Sequence, residues 1–126
     1  MTHNAAILVI EDEEILRDII LNVLQEKGYQ AIGTGDSRRG LLLAKELVPD
    51  LILCDIRMPK LDGYEVLKAL RQDSKTRTIP FIFISAEKSQ VVRNRGQQCG
   101  ANGYLAKPFT TDELLMVIAN HINFYQ

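Results

Sequence analysis

The sequence predicts an α/β fold in which helices cover both faces of one parallel sheet. Two observations carry this. Five short extended runs alternate with five segments of helical character, the pattern of repeated strand–helix units. The inner runs, Leu51 to Cys54 and Phe81 to Ile84, are apolar at every position, as strands buried on both faces are. A length of 126 residues suits one domain with one hydrophobic core, and no linker-like segment interrupts the alternation.

The first strand covers about Ala6 to Ile10. A helix follows from Glu14 to Lys27, with Ile15, Leu16, Ile19, Ile20, Val23 and Leu24 at helical spacing and Gly28 at its C-terminal stop. The second strand is Tyr29 to Gly33. Asp36 and Ser37 are suited to cap a second helix, which runs to about Leu47 and stops before Pro49. The third strand is Leu51 to Cys54. Asp62 opens a third helix that turns Val66, Leu67 and Leu70 inward. The polar link "SKTRTIP" leads to the fourth strand, Phe81 to Ile84. The stretch 87–100 is the weakest: only Val91, Val92 and Cys99 are expected to be buried, and Gly96 in mid-helix costs ~1 kcal/mol against alanine. The fourth helix is therefore expected to be the least stable. The fifth strand is Tyr104 to Ala106. Thr110 or Thr111 caps a last helix carrying Leu114, Leu115, Ile118 and Ile122.

Composition narrows the function classes. Apolar residues make up 46% and charged residues 25%, the balance of an ordinary folded domain rather than a disordered chain. The formal net charge of -1 gives no basic surplus for direct nucleic-acid binding. No apolar run approaches the ~20 residues of a membrane span, so no membrane insertion is expected. The two cysteines, Cys54 and Cys99, make no disulfide framework, and a reducing cytoplasm is the expected setting.

The polar residues that end the strands carry the chemistry. Glu11 and Asp12 follow the first strand, Asp55 the third and Ser85 the fourth, and the fifth runs into Lys107. In a parallel sheet these ends share one edge, where open α/β sheets bind their ligands. One acid after a strand is usually a turn or capping residue. Convergence of three acids, a hydroxyl and an amine points to a site. Three carboxylates cannot remain ionised together without counter-charge. Lys107 supplies one positive charge, and a hard divalent cation with oxygen ligands, Mg²⁺ or Mn²⁺, supplies the rest. With no Cys/His cluster, zinc is not expected. Metal, lysine and hydroxyl suit a transferring phosphoryl group, and a carboxylate can serve as its nucleophile. Asp55 is the candidate, alone on its strand between the acid pair and Ser85. His3 and His121 stand at the chain's two ends, with nothing in the sequence to bring them to the acids.

The segments "ILVIEDEE", "DLILCDIRMPKLDG", "PFIFISA" and "GANGYLAKPF", in this order and spacing, resemble the receiver domain of bacterial two-component response regulators over nearly the whole chain. The resemblance implies a flavodoxin-like, doubly wound sheet with strand order 2-1-3-4-5. It implies that Asp55 accepts a phosphoryl group from a phosphohistidine of a sensor histidine kinase or phosphotransfer protein. Asp12 would bind Mg²⁺ directly, Glu11 through water, and Arg57 through its backbone carbonyl. Ser85 and Lys107 would contact the phosphoryl oxygens, and Tyr104 would be the aromatic that moves with Ser85. Ala86 matches a small residue that keeps the site open, and Lys107-Pro108 is expected to be cis. Downstream proteins would bind the face formed by the fourth helix, fifth strand and fifth helix. Glu11 and Ser85 stand where aspartate and threonine are commoner, and both keep the functional group.

On this reading residues 1–126 are one receiver domain with no output domain visible, and catalysis is limited to the chain's own phosphorylation and dephosphorylation. Other readings stand beside it. One makes the chain the N-terminal module of a longer regulator. An aspartate-nucleophile phosphatase normally has a second acid two residues after the nucleophile, where this chain has Arg57. A receiver-like module that only binds partners would not need the full set of acids, hydroxyl and lysine. Glu13 and Glu14 are read as first-turn helix acids, and Arg57 and Glu87 as opposite charges near enough to pair at the rim.

Overall fold

The computed structural model describes residues 4–87 and 89–122, so His3 lies outside it. The elements alternate as expected: β1 (Ala6–Ile10), α1 (Glu14–Glu26), β2 (Gln30–Thr34), α2 (Ser37–Leu47), β3 (Leu51–Asp55), α3 (Gly63–Arg71), β4 (Phe81–Ser85), α4 (Gln90–Gln98), β5 (Gly103–Ala106) and α5 (Thr111–His121). All strand pairs are parallel and the order is β2-β1-β3-β4-β5.

The register places the site. Ile10 pairs with Cys54, Asp55 with Ile84, and Ser85 with Ala106. Glu11, Asp55, Ser85 and Lys107 therefore reach the same edge within two residues of each other. Asp55 and Ser85 are themselves the last residues of β3 and β4 rather than the residues beyond them.

Side chains alternate across the sheet and build two cores. Ile7, Val9, Leu51, Leu53, Ile82, Ile84 and Leu105 pack against Ile20 and Leu24 of α1 and Leu114 and Ile118 of α5. Leu8, Ile10, Ile52, Cys54, Phe81 and Phe83 pack on the other side against Ala44 of α2 and Val66, Leu67 and Leu70 of α3. Capping follows the sequence signals. Asp36 accepts from the backbone N–H groups of Arg38 and Arg39, and Asp62 with Glu65 and Thr110 with Glu113 form reciprocal capping boxes.

Two expectations about burial are corrected. Ile15 and Ile19 do not join the buried face of α1; they are 78% and 53% exposed, because only the stripe through Ile20 and Leu24 meets the sheet. In α4, Val91 is 77% exposed, and Val92 and Cys99 are only half-buried. The buried residue of α4 is Gly96. A Cβ there would stand 3.1 Å from two ring carbons of Phe83, so the missing side chain is what lets α4 approach β4. Two cation–π contacts add to this grip: Arg95 lies over Tyr64 at 4.0 Å and Arg93 over Tyr104 at 4.9 Å. Among the described residues no helix is long and apolar enough to cross a membrane.

Candidate phosphoryl-transfer site

Lys107 is the centre of the charge arrangement. Its ammonium lies 2.9 Å from Glu11 Oε1, 3.2 Å from Asp55 Oδ2 and 3.3 Å from Glu13 Oε1. Glu11 is fully buried and Asp55 nearly so, whereas Asp12 and Glu13 are exposed. The sheet holds these groups by backbone contacts. Glu11 N–H donates to the Thr34 carbonyl at 3.0 Å, and Glu11 Oε2 accepts from Glu13 N–H at 3.1 Å. Asp55 Oδ1 accepts from Ile56 N–H at 2.8 Å, which leaves Oδ2 toward Lys107.

Burial pushes the Glu11 carboxyl up to about 7, against the Glu13 N–H and Lys107, which pull it down. Burial also opposes the charge on Lys107, but Glu11 and Asp55 outweigh it and its pKa rises above the usual lysine value.

Glu11, Asp12 and Asp55 each offer a carboxylate oxygen within 4.8 Å of the others. Glu11 Oε1 is buried and has no hydrogen-bond partner among the described residues; its contact with Lys107 is ionic and off the hydrogen-bond direction. An orphaned buried oxygen beside two more carboxylates fits a hard divalent cation.

The cleft over this cluster holds about 410 Å³ and is lined by Asp12, Glu13, Asp55, Arg57, Ser85, Ala86, Glu87 and Lys107. Ser85 is buried, and its Oγ accepts from Glu87 N–H at 3.1 Å. The Arg57 side chain forms an ion pair with Glu87 across the mouth. The loop after Asp55 is tight at Gly63, where a Cβ would fall 2.4 Å from the Asp55 carbonyl oxygen and 2.9 Å from Ile56 Cα. Gly63 N–H also donates to the Ile56 carbonyl at 2.7 Å, so α3 starts directly against the end of β3. The Lys107-Pro108 peptide bond is cis, as expected.

Every predicted site residue except Tyr104 lines the cleft or its acidic floor. Tyr104 lies in a neighbouring hollow between α4 and β5, with Phe83, Arg93 and Gly96. Its hydroxyl donates to the Glu87 carbonyl. Glu87 thus touches Ser85 through its N–H, Arg57 through its carboxylate and Tyr104 through its carbonyl. The sequence reading missed Glu13, whose carboxylate turns to Lys107 instead of capping α1. Its place directly after the acid pair was the only signal.

Comparison with known proteins agrees with this arrangement. The family model described as the response regulator receiver domain matches residues 7–119. The DNA-binding dual master transcriptional regulator RpaA of Synechocystis is 37% identical over 109 residues, covering 86% of this chain and 45% of that protein. The chain thus spans about half the length of the curated relatives it matches first. The chemotaxis protein CheY4 of Vibrio cholerae superposes with a TM-score of 0.91 at 30% identity, covering 95% of this chain and all of that one. The receiver domain of a sensor histidine kinase from Pseudomonas aeruginosa, with magnesium coordinated in its active-site cleft, gives a TM-score of 0.87 at 32% identity and covers 94% of this chain and 98% of that one. With the parallel 2-1-3-4-5 sheet and the acidic cleft at its edge, these matches show that the chain belongs to the receiver-domain family of two-component response regulators, the phosphorylation-dependent switches of signal transduction.

Proposed function

We propose that Asp55 is the phosphoacceptor of this receiver. The observation that carries the reading is a nearly buried carboxylate at the end of the central strand, paired with Lys107 and within reach of Glu11 and Asp12. A carboxylate oxygen of Asp55 attacks the phosphorus of a phosphohistidine on a sensor kinase or phosphotransfer protein. The phosphorus–nitrogen bond breaks, its electron pair leaves with the imidazole, and Asp55 carries an acyl phosphate. Asp12, Asp55, the Arg57 carbonyl and, through water, Glu11 would hold Mg²⁺ or Mn²⁺, which supplies positive charge to the phosphoryl oxygens. Lys107 and the Ser85 hydroxyl donate to those oxygens from the other side. Catalysis is confined to the chain's own phosphorylation and its reversal, and the setting is the cytoplasm.

Ser85 and Tyr104 form the switch on this reading. A phosphoryl oxygen draws Ser85 toward Asp55, disturbs its bond with Glu87 N–H, and so loosens the loop that Tyr104 holds through the same residue. The face formed by α4, β5 and α5 then presents a changed surface to a downstream protein. A second reading, that the domain is the N-terminal receiver of a longer regulator, is favoured by its matching only 45% of RpaA. The mass of the native polypeptide in its own cells separates the two.

The test is phosphorylation by acetyl phosphate with Mg²⁺, read by intact mass. Wild type gains one phosphoryl group, Asp55→Asn none, and Asp12→Ala far less. A full gain in Asp55→Asn removes the central claim. Hydrogen exchange with and without phosphorylation should differ most between Ser85 and Tyr104; a uniform response contradicts the switch.

A further inference from the structure

Among the acids around Lys107, Glu13 alone has no role in the proposed chemistry. It is the N-cap residue of α1, yet its side chain makes no capping bond. The carboxylate instead reaches the Lys107 ammonium from a position 94 residues away in sequence. Its other contacts fix it there: its N–H donates to Glu11 Oε2 and its carbonyl accepts the first helical bond, from Arg17.

An ammonium has three N–H donors. Three carboxylates face Lys107: Asp55 and Glu13 accept its hydrogen bonds, and Glu11 pairs with it as an ion. Two of these, Glu11 and Asp55, also belong to the three-carboxylate cluster suited to a cation, and Glu13 does not. A cation in that cluster competes with Lys107 for both shared carboxylates. Glu13 is then the one acceptor still free to hold the ammonium in place. It lies toward the open side of the cleft, so one N–H held by Glu13 leaves another to turn to a phosphoryl oxygen on Asp55.

We infer that Glu13 is a positioning residue for phosphoryl transfer, an outer tether that keeps Lys107 aimed at the phosphoryl group once the metal has claimed Glu11 and Asp55. The inference rests on the reading of Asp55 as phosphoacceptor. It gives Glu13 an effect on the maximal rate that passes wholly through Lys107.

The experiment measures phosphorylation of the full chain by acetyl phosphate at saturating Mg²⁺, following intact mass against time and donor concentration. Glu13→Gln and Glu13→Ala should each lower the maximal rate about two- to fivefold, the range an exposed charge contact supports. The half-saturating concentration of Mg²⁺ should stay within twofold of wild type, because Glu13 is outside the metal cluster. The same substitutions in a Lys107→Ala background should change the residual rate by less than about 1.5-fold, since contacts that act through one partner are not additive. Binding of beryllofluoride, a phosphoryl mimic, followed by calorimetry in the same set of proteins, gives an equilibrium check where the Lys107→Ala rate is too slow to follow. It should weaken in the Glu13 variants of the wild-type background only. Unchanged rates in both Glu13 variants overturn the inference. So does a shift in Mg²⁺ half-saturation in place of the maximal rate, or an equal loss without Lys107. Failure of the underlying reading is distinct, because Asp55→Asn would then gain the phosphoryl group as wild type does, or neither protein would gain it.

Discussion

Breaking the Arg57–Glu87 ion pair should shorten the life of the phosphorylated state. The two side chains meet across the mouth of the cleft, with Arg57 79% and Glu87 34% exposed. Hydrolysis of an acyl phosphate needs a water in line with the bond that breaks, and a closed pair obstructs that approach. An exposed pair of this kind contributes at most ~1 kcal/mol. That corresponds to a closed-to-open ratio of about five, since a tenfold ratio takes ~1.4 kcal/mol. If water enters only through the open form, removing the pair raises the decay rate by about fivefold and no more. Arg57→Asn keeps the backbone carbonyl proposed as a metal ligand, and Glu87→Ala keeps the N–H and carbonyl that bond Ser85 and Tyr104. Both singles should therefore accelerate decay by similar factors, and the double variant should be no faster than the faster single, because one contact is lost in all three. Salt offers a second handle. At 1 M ionic strength the screening length falls to ~3 Å, so wild type should move toward the rate of the variants while the variants hardly change. The assay is loss of the phosphoryl mass after the donor is removed by gel filtration. Equal decay in all four proteins, or equal salt acceleration in all four, refutes the gate.

Two further outcomes follow from the geometry around Asp55. Gly63→Ala should destabilise the domain by about 1–3 kcal/mol or more by urea unfolding, because its Cβ would meet backbone atoms of β3 and its exit loop that have no flexible end to yield; a change below 0.5 kcal/mol would show that the loop can shift. Metal-free protein should lose stability as pH rises from about 4.5 to 7, because Glu11, pushed up to about 7 by burial, must ionise inside the fold while the unfolded chain has already done so. The urea midpoint in EDTA should thus be lower at pH 8 than at pH 5. Glu11→Gln should flatten that slope, as should Mg²⁺. A steeper slope in Glu11→Gln would reject the assignment.

What the sequence disclosed and what it hid have different physical origins. β3 and β4 were readable because their first four positions are all apolar, which leaves a doubly covered strand as the simplest fate. The convergence of Glu11, Asp12, Asp55, Ser85 and Lys107 was readable because parallel pairing brings the strand ends to one edge. Asp62 and Thr110 announce their helices through capping boxes. Val91 was misread because an apolar residue shows what can be buried, not whether a neighbour is there to cover it. Gly96 was misread in the opposite direction. Helix propensity counts only the cost of a missing side chain, while the benefit, close approach to Phe83, belongs to another strand. The contacts of Glu13 with Lys107 and of Tyr104 with Glu87 join residues far apart in the chain, and no local pattern encodes them.

The manner in which α4 is held has a consequence for how such a domain diverges. Its one buried residue is a glycine, and its outward positions carry Val91, Asn94, Gln97 and Gln98 without supporting either core. Exposed positions of this kind accept replacement with little change in stability. β3, by contrast, is buried at all five positions, and drift there would unseat Asp55. Substitutions can therefore accumulate on the outer face of α4, part of the surface proposed to meet downstream proteins, without disturbing the acidic cleft.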